Sequence, residues 1–183
     1  MNSNPLWLNG SPNKNGFTIR VASHVLAELD YTLMHAYDLK INPCDDCKVC
    51  HYKPVCKHHD DHNLIIDALK ATDTLILTTP IYFGAMSDQL LKIINRFQQL
   101  FERKYTHKRD DIKLKKLIVI STCASNDITM FDGLKLTVRI LNQLFSVEKT
   151  DLLLLNNTDN EDPMITQLNR VNDFKETIKK TLI

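Results

Sequence analysis

Four cysteines in "NPCDDCKVCHYKPVC" fall at Cys44, Cys47, Cys50 and Cys56, a C-x2-C-x2-C-x5-C spacing. That spacing lets one loop wrap three thiolates around a compact centre while a fourth arrives after a short detour. In a reducing compartment it points to metal or redox chemistry before a disulfide framework. Zinc is a second reading, with His51, His58, His59 or His62 completing the donor set. Against zinc, its structural sites usually hold two ligand pairs separated by a longer stretch. Free thiols are a third reading, with His58, His59 and His62 as solvated loop residues. The residues alone leave these open.

A second stretch, "LWLNGSPNKNGFT", joins an apolar run ending at Leu8 to a helical pattern and contains no acid. A helix N-terminus exposes unpaired N–H groups and the positive end of the dipole. Gly10 and Gly16 allow a tight turn, Ser11 and Thr18 add hydroxyls, and Lys14 adds charge, which together make a seat for a phosphate. The dinucleotide pattern G-x-G-x-x-G and the triphosphate pattern G-x-x-x-x-G-K-[ST] are both absent, since Phe17 follows Gly16. Two further unusual loops, "TPIYFGAMS" and "STCASND", follow later strand patterns. In an open parallel sheet such loops meet outside the carboxyl ends of the strands. A phosphate on the first loop and a flat ring beside Tyr82, Phe83 and Gly84 describe a mononucleotide with a large planar head.

Strands are expected over 5–8, 31–38, 73–79, 115–122 and 148–155, two of them nearly all apolar or Thr, as in a sheet buried on both faces. Between them run amphipathic helices at the 3.6-residue period. The first carries Val21, Val25 and Leu29. A short second helix is capped by Asp60 or Asp61 and ends at Leu69. The third runs from Met86 through Leu90, Ile93, Ile94 and Phe97 to Leu100, with Phe97 read as core. The fourth carries Phe131, Leu134, Val138, Leu141 and Phe145, and the last carries Ile165, Leu168, Val171, Phe174 and Ile178. Alternating strands and helices imply an α/β, doubly wound sandwich, here a single domain over 1–183 with a cysteine-rich insertion at about 40–62. The chain has 183 residues, 43% hydrophobic and 25% charged, with 23 basic against 22 acidic side chains. This near-neutral balance argues against nucleic acid and anionic membrane partners. No apolar stretch reaches the roughly 18 residues of a membrane span, and "MNSNPLWLNG" does not read as a secretory signal. A cytoplasmic protein is expected.

"NGSPNKNGFT" together with "PIYFGAMSDQLLKIINRF" resembles the NAD(P)H-dependent FMN reductase group of flavodoxin-like proteins. The resemblance implies a three-layer sandwich on a five-stranded parallel sheet of order 2-1-3-4-5. It implies FMN as cofactor and NAD(P)H as reductant. Ser11, Thr18 and the Phe17 backbone would contact the phosphate, with Lys14 nearby. The Phe17 side chain departs from the polar residue often found there. Pro80, Ile81, Tyr82, Phe83 and Gly84 would line the ring, with Met86 at the helix start and Cys123 and Ala124 closing the third side. Cys123 reads at least as well as a small buried residue at a strand end. The cysteine stretch resembles the motif of the iron–sulfur flavoproteins, which implies a 4Fe–4S cluster on Cys44, Cys47, Cys50 and Cys56. The implied reaction passes hydride from NAD(P)H through the flavin to a small acceptor: a quinone, an azo compound, free flavin or an iron centre. No acid–base residue is named. The rival readings are a flavodoxin-type electron carrier, against which the balanced charge speaks, and a flavin-dependent redox sensor. A homodimer or homotetramer is implied, and 97–111 reads as an interface or, preferably, a solvated extension.

Overall fold

The computed structural model describes residues 4–182. Residues 1–3 and 183, to which the domain and N-terminal readings extend, lie outside the described residues. Five parallel strands form the sheet: β1 (Leu6–Asn9), β2 (Thr32–His35), β3 (Thr74–Tyr82), β5 (Lys116–Cys123) and β6 (Lys149–Leu155), in the spatial order β2-β1-β3-β5-β6. This is the doubly wound order 2-1-3-4-5 expected for five parallel strands. A sixth strand, β4 (Ala85–Met86), folds back antiparallel on the end of β3, pairing Ile81 with Met86 and Tyr82 with Ala85.

Side chains alternate across the central strands as the pleat requires. Leu6, Leu8, Leu75, Leu77, Leu117 and Val119 face one apolar layer. Trp7, Ile76, Ile118, Ile120, Leu153 and Leu155 face the other. The second layer is closed by α1 (Phe17–Val25) and α8 (Leu168–Leu182). The first is closed by α3 (His62–Ala71), α4 (Asp88–Arg96), α5 (Gln98–Tyr105) and α6 (Asp132–Leu144). Both faces of β3 and β5 are therefore dry, which is why their sequences run apolar without alternation.

Several boundaries differ from expectation. Strand β2 stops at His35, and a 3-10 turn over Ala36–Asp38 follows. Met86 lies in β4 rather than opening the third helix, which starts at Asp88 and breaks at Phe97 into α4 and α5. The final helix is also two, α7 (Pro163–Thr166) and α8, and Ile165 is 76% exposed, off the apolar stripe. The insertion holds one turn of helix, α2 (Val49–Tyr52). Asp61 stands at the N-cap of α3, but its carboxylate takes the Lys40 N–H at 2.7 Å, and Asp60 accepts the His62 N–H instead.

Candidate functional site

Strands β1, β3 and β5 end on one edge of the sheet, and their loops meet there. The first loop is held from beneath by a buried hydrogen-bond chain. The Trp7 indole donates to Thr78 Oγ1 at 2.9 Å, Thr78 donates to Asn9 Oδ1 at 2.8 Å, and that same oxygen accepts the Ser11 N–H at 3.1 Å. The Asn9 amide also meets His35 Nδ1 at 2.8 Å, and the Gly10 N–H donates to the Thr78 carbonyl at 2.7 Å. A side chain at Gly10 would meet Leu90 at 2.8 Å, so the loop lies against α4 where only glycine fits.

Helix α1 then begins at Phe17 with no acid in its first turn and no capping side chain. The N–H groups of Phe17, Thr18 and Ile19 have no carbonyl one turn back and point at the loop. Ser11 is buried and its hydroxyl donates to the Asn13 carbonyl at 2.9 Å. Thr18 is buried and shares a 2.6 Å hydrogen bond with Thr122 of β5. Lys14 contacts Asp38 at 2.6 Å, so the fold supplies the acid that the turn's own sequence lacks. Both groups are more than half exposed, and such a pair holds loosely. The Phe17 ring lies under the Arg20 guanidinium, 5.5 Å from its carbon, leaving the Phe17 backbone to the loop.

The second loop is an exposed aromatic turn. Phe83 is 104% exposed at φ +51°, Tyr82 is half exposed, and Gly84 follows at φ +76°, with nothing near where a side chain would stand. The β3–β4 hairpin fixes this turn, yet no described residue packs on the Phe83 ring. The side chains of Ile81, Met86 and Cys123, expected to line a ring, instead face the apolar layer, so only their backbones border the turn. Pro80 is half-buried and Ala124 is exposed. The third loop is tied to the end of β6 by the Thr158 N–H on the Cys123 carbonyl at 3.1 Å and the Asn157 N–H on the Ser125 carbonyl at 2.9 Å. At the start of α4, Tyr37 donates to the Asp88 carboxylate, and burial followed by that carboxylate pushes the phenol up to about 12. These residues fit a flavin mononucleotide: open N–H donors at a helix start with no acid in its first turn for the phosphate, and an uncovered aromatic face for the ring.

The cysteine loop forms a separate concavity against the far end of α4. Cys44, Cys47, Cys50 and Cys56 all line it, opposite Arg96 and Glu102. None is in a disulfide. Asp46 and Lys48, on either side of Cys47, take left-handed backbone at φ +54° and +61°. Such conformations are costly for non-glycine residues and persist where surrounding structure holds them. Arg96 braces the two ends of the loop: it is 2% exposed, with Nη1 donating to the Asn42 carbonyl at 2.8 Å and to Asp60 at 2.9 Å. Burial alone raises the Asp60 pKa, but the Arg96 guanidinium and the N–H groups of Asn42 and His62 outweigh it and hold the carboxyl well below the usual range. From α5, Arg103 donates to the Pro54 carbonyl at 2.9 Å, and His107 beyond it meets the Cys50 carbonyl at 3.0 Å. Burial, then the Glu102 carboxylate, pushes the Cys50 thiol up. No three His, Cys, Asp or Glu side chains among the described residues stand close enough for a single metal ion. As placed, these side chains favour neither zinc nor a cluster over free thiols; the four thiols share one concavity.

His62, read as a solvated loop residue, is fully buried. Its ring meets the Ile93 carbonyl and the Gln99 amide, both at 3.1 Å. Asn9, Thr78, Thr122, Asp60 and Arg96 also went unread as site residues. Arg96 carried one usable signal: a cation three residues past Ile93 on the buried stripe of α4.

The chain is similar to several known proteins. An iron–sulfur flavoprotein of Methanocaldococcus jannaschii is 33% identical over 100 residues, 52% of each chain. One from Archaeoglobus fulgidus is 30% identical over 95 residues, 50% of this chain and 47% of the relative. The chain thus spans about half the length of the curated relatives it matches. An FMN-dependent NADH-azoreductase from Bacillus anthracis, solved with FMN, superposes with TM-score 0.71 at 13% identity over 98% of this chain and 100% of its own. An NAD(P)H:quinone oxidoreductase from Methanothermobacter marburgensis gives TM-score 0.70 at 14% identity over 96% and 94%. At these identities the structures speak to fold. The family described as NADPH-dependent FMN reductase matches residues 5–130, a span that contains the acid-free turn, the aromatic turn and the cysteine loop, and the chain belongs to it.

Proposed function

We propose that this chain is an FMN-dependent oxidoreductase using NAD(P)H as reductant and a quinone, azo compound, free flavin or iron centre as acceptor. The observation that carries this reading is the pairing, on one sheet edge, of an acid-free helix N-terminus with an aromatic turn whose Phe83 is fully exposed. When bound, FMN supplies the chemistry, taking a hydride from the nicotinamide and passing the electron pair on. The protein's part is positional. The N–H groups of Phe17 and Thr18 would hold the phosphate, with the Ser11 and Thr18 hydroxyls exchanging Asn13 and Thr122 for it and Lys14 leaving Asp38 to add charge. Phe83 and Tyr82 flank the ring, and the backbone of Ile81, Gly84, Cys123 and Ala124 borders its polar edge. One ring face stays open for nicotinamide and then acceptor, so neither needs a dedicated acid–base side chain.

Cys44, Cys47, Cys50 and Cys56 are proposed as ligands of a 4Fe–4S centre, supported by the donor set and the relatives' names. No helix is long and apolar enough to cross a membrane among the described residues, and we propose a cytoplasmic protein of one domain, assembled as a homodimer or homotetramer. The test is direct. Protein purified with added FMN should be yellow, oxidise NADH or NADPH with a soluble quinone or azo dye, and lose its colour when Ser11 and Thr18 become Asp. Colourless wild-type protein in excess FMN, or colour retained by the double variant, overturns the reading.

A further inference from the structure

We infer that Arg96 is a positioning residue of the four-thiol site, anchoring the cysteine loop to α4 while placing a buried positive charge in the wall of the concavity that the sulfurs share. The inference rests on the cysteine reading above. Lys48 and Lys57 also border the concavity, but both are exposed and held by Asp46 and Asp45. Arg96 is almost fully buried, so its field acts through a low dielectric. Its partner Asp60 does not line the concavity; the carboxylates that do are Asp46 and Asp45, paired with Lys48 and Lys57, and Glu102. Two guanidinium nitrogens are engaged, with Asn42, Asp60 and, at 3.5 Å, the His58 carbonyl. The third, Nε–H, is buried with no hydrogen-bond partner among the described residues, while His58 Nε2 lies 3.6 Å from Asp45. Buried donors are nearly always satisfied, and an anionic sulfur is the partner this wall lacks. An electron added to a four-thiolate centre raises its negative charge, and a buried cation beside it favours that state.

The test is anaerobic reconstitution of the full chain with ferrous iron and sulfide, followed by iron analysis and a dithionite titration of the centre's midpoint potential. R96Q should retain iron roughly tenfold less well against a chelator and shift the potential negative, about 59 mV for each tenfold change in preference. R96K, keeping the charge without the fork, should hold the wild-type potential. D60N, freeing the cation from its acid, should shift the potential positive. A purely structural brace would move R96Q and D60N in the same direction. If R96Q fails to fold by circular dichroism, D60N without a positive shift overturns the inference on its own. Wild-type protein that loads iron while R96Q keeps both iron and potential overturns this inference alone. Wild-type protein that takes up no iron overturns the cluster reading and this inference with it, leaving the flavin tests standing.

Discussion

Phe83 shows how one residue ties backbone geometry to function. A bulky aromatic at φ +51°, with its ring wholly in water, satisfies neither packing nor conformational preference. Left-handed backbone costs a non-glycine residue about 1–2 kcal/mol, and exposure returns none of it. Such a residue stays where a ligand covers it. Phe83→Gly should therefore relieve strain, partly offset by the larger entropy of the unfolded glycine, and leave stability within about 1 kcal/mol of wild type. Its FMN affinity should fall roughly fivefold or more, from the loss of about 1 kcal/mol of ring stacking. Thermal unfolding without flavin and fluorescence titration with FMN check the two halves. Equal affinity in the variant would remove Phe83 from the ring site. The neighbouring Gly84, at φ +76°, makes the turn readable in sequence as a flexible point, but nothing in "IYFG" says which aromatic is uncovered. That depends on the two-residue strand β4, whose pairing is too short to leave a periodic trace.

At the scale of elements, α4 links the two candidate sites. Nine residues at about 1.5 Å each carry the chain from Asp88, bonded by Tyr37 beside the aromatic turn, to Arg96 in the cysteine wall. Its apolar stripe was legible from the spacing of Leu90 and Ile93. Its break at Phe97 was not, because the apolar period continues through Leu100 into α5. The join between α3 and α4 is made by His62, whose buried ring spans Ile93 and Gln99. Burial, reinforced by the Arg96 charge, lowers its pKa from 6.5 to about 4. The unfolded chain therefore binds a proton between pH 6.5 and 4 that the folded chain refuses. Stability rises with pH through this window, is complete above 6.5, and drops by up to about 3 kcal/mol on acidification to 4. Asp60, with its lowered pKa, adds a loss only at more acidic pH. His62→Gln, which keeps hydrogen-bonding capacity without a titrating ring, should flatten the profile between pH 6.5 and 4.5 in urea unfolding. A wild-type midpoint that does not change across that range would mean the ring is hydrated or already charged.

At the scale of the molecule, the layer order was legible because β3 and β5 are buried on both faces and read as continuous apolar runs, while α1, α6 and α8 carry clean stripes. The long-range hydrogen bonds were not. Thr18 meeting Thr122, or Arg96 meeting Asp60, is decided by topology, and no local pattern encodes it. The same holds for the outer surface. Leu91, Ile94, Phe101 and Ile140 border one shallow groove where α4, α5 and α6 meet. Phe101 and Ile140 are 43% and 50% exposed, and the Tyr105 ring meets Phe101 in a tilted contact at 4.6 Å between ring centroids. The segment 97–111, read as a solvated extension, thus turns an apolar edge outward beside its charges. Exposed apolar strips are frequent interaction sites, and the homo-oligomer we propose would occupy this one. A standard interface buries about 800 Å² on each partner, and a charge placed in its middle costs several kcal/mol of association. The double variant Phe101→Asp, Ile140→Asp should therefore convert the protein to a monomer at micromolar concentration in light scattering. Because both side chains are about half exposed, thermal unfolding of the isolated subunit should change little. Flavin retention in the variant then separates two designs. Retained colour means each subunit holds its own ring, whereas lost colour means the partner copy covers it. A wild-type chain that remains monomeric at high concentration would assign this strip to another partner.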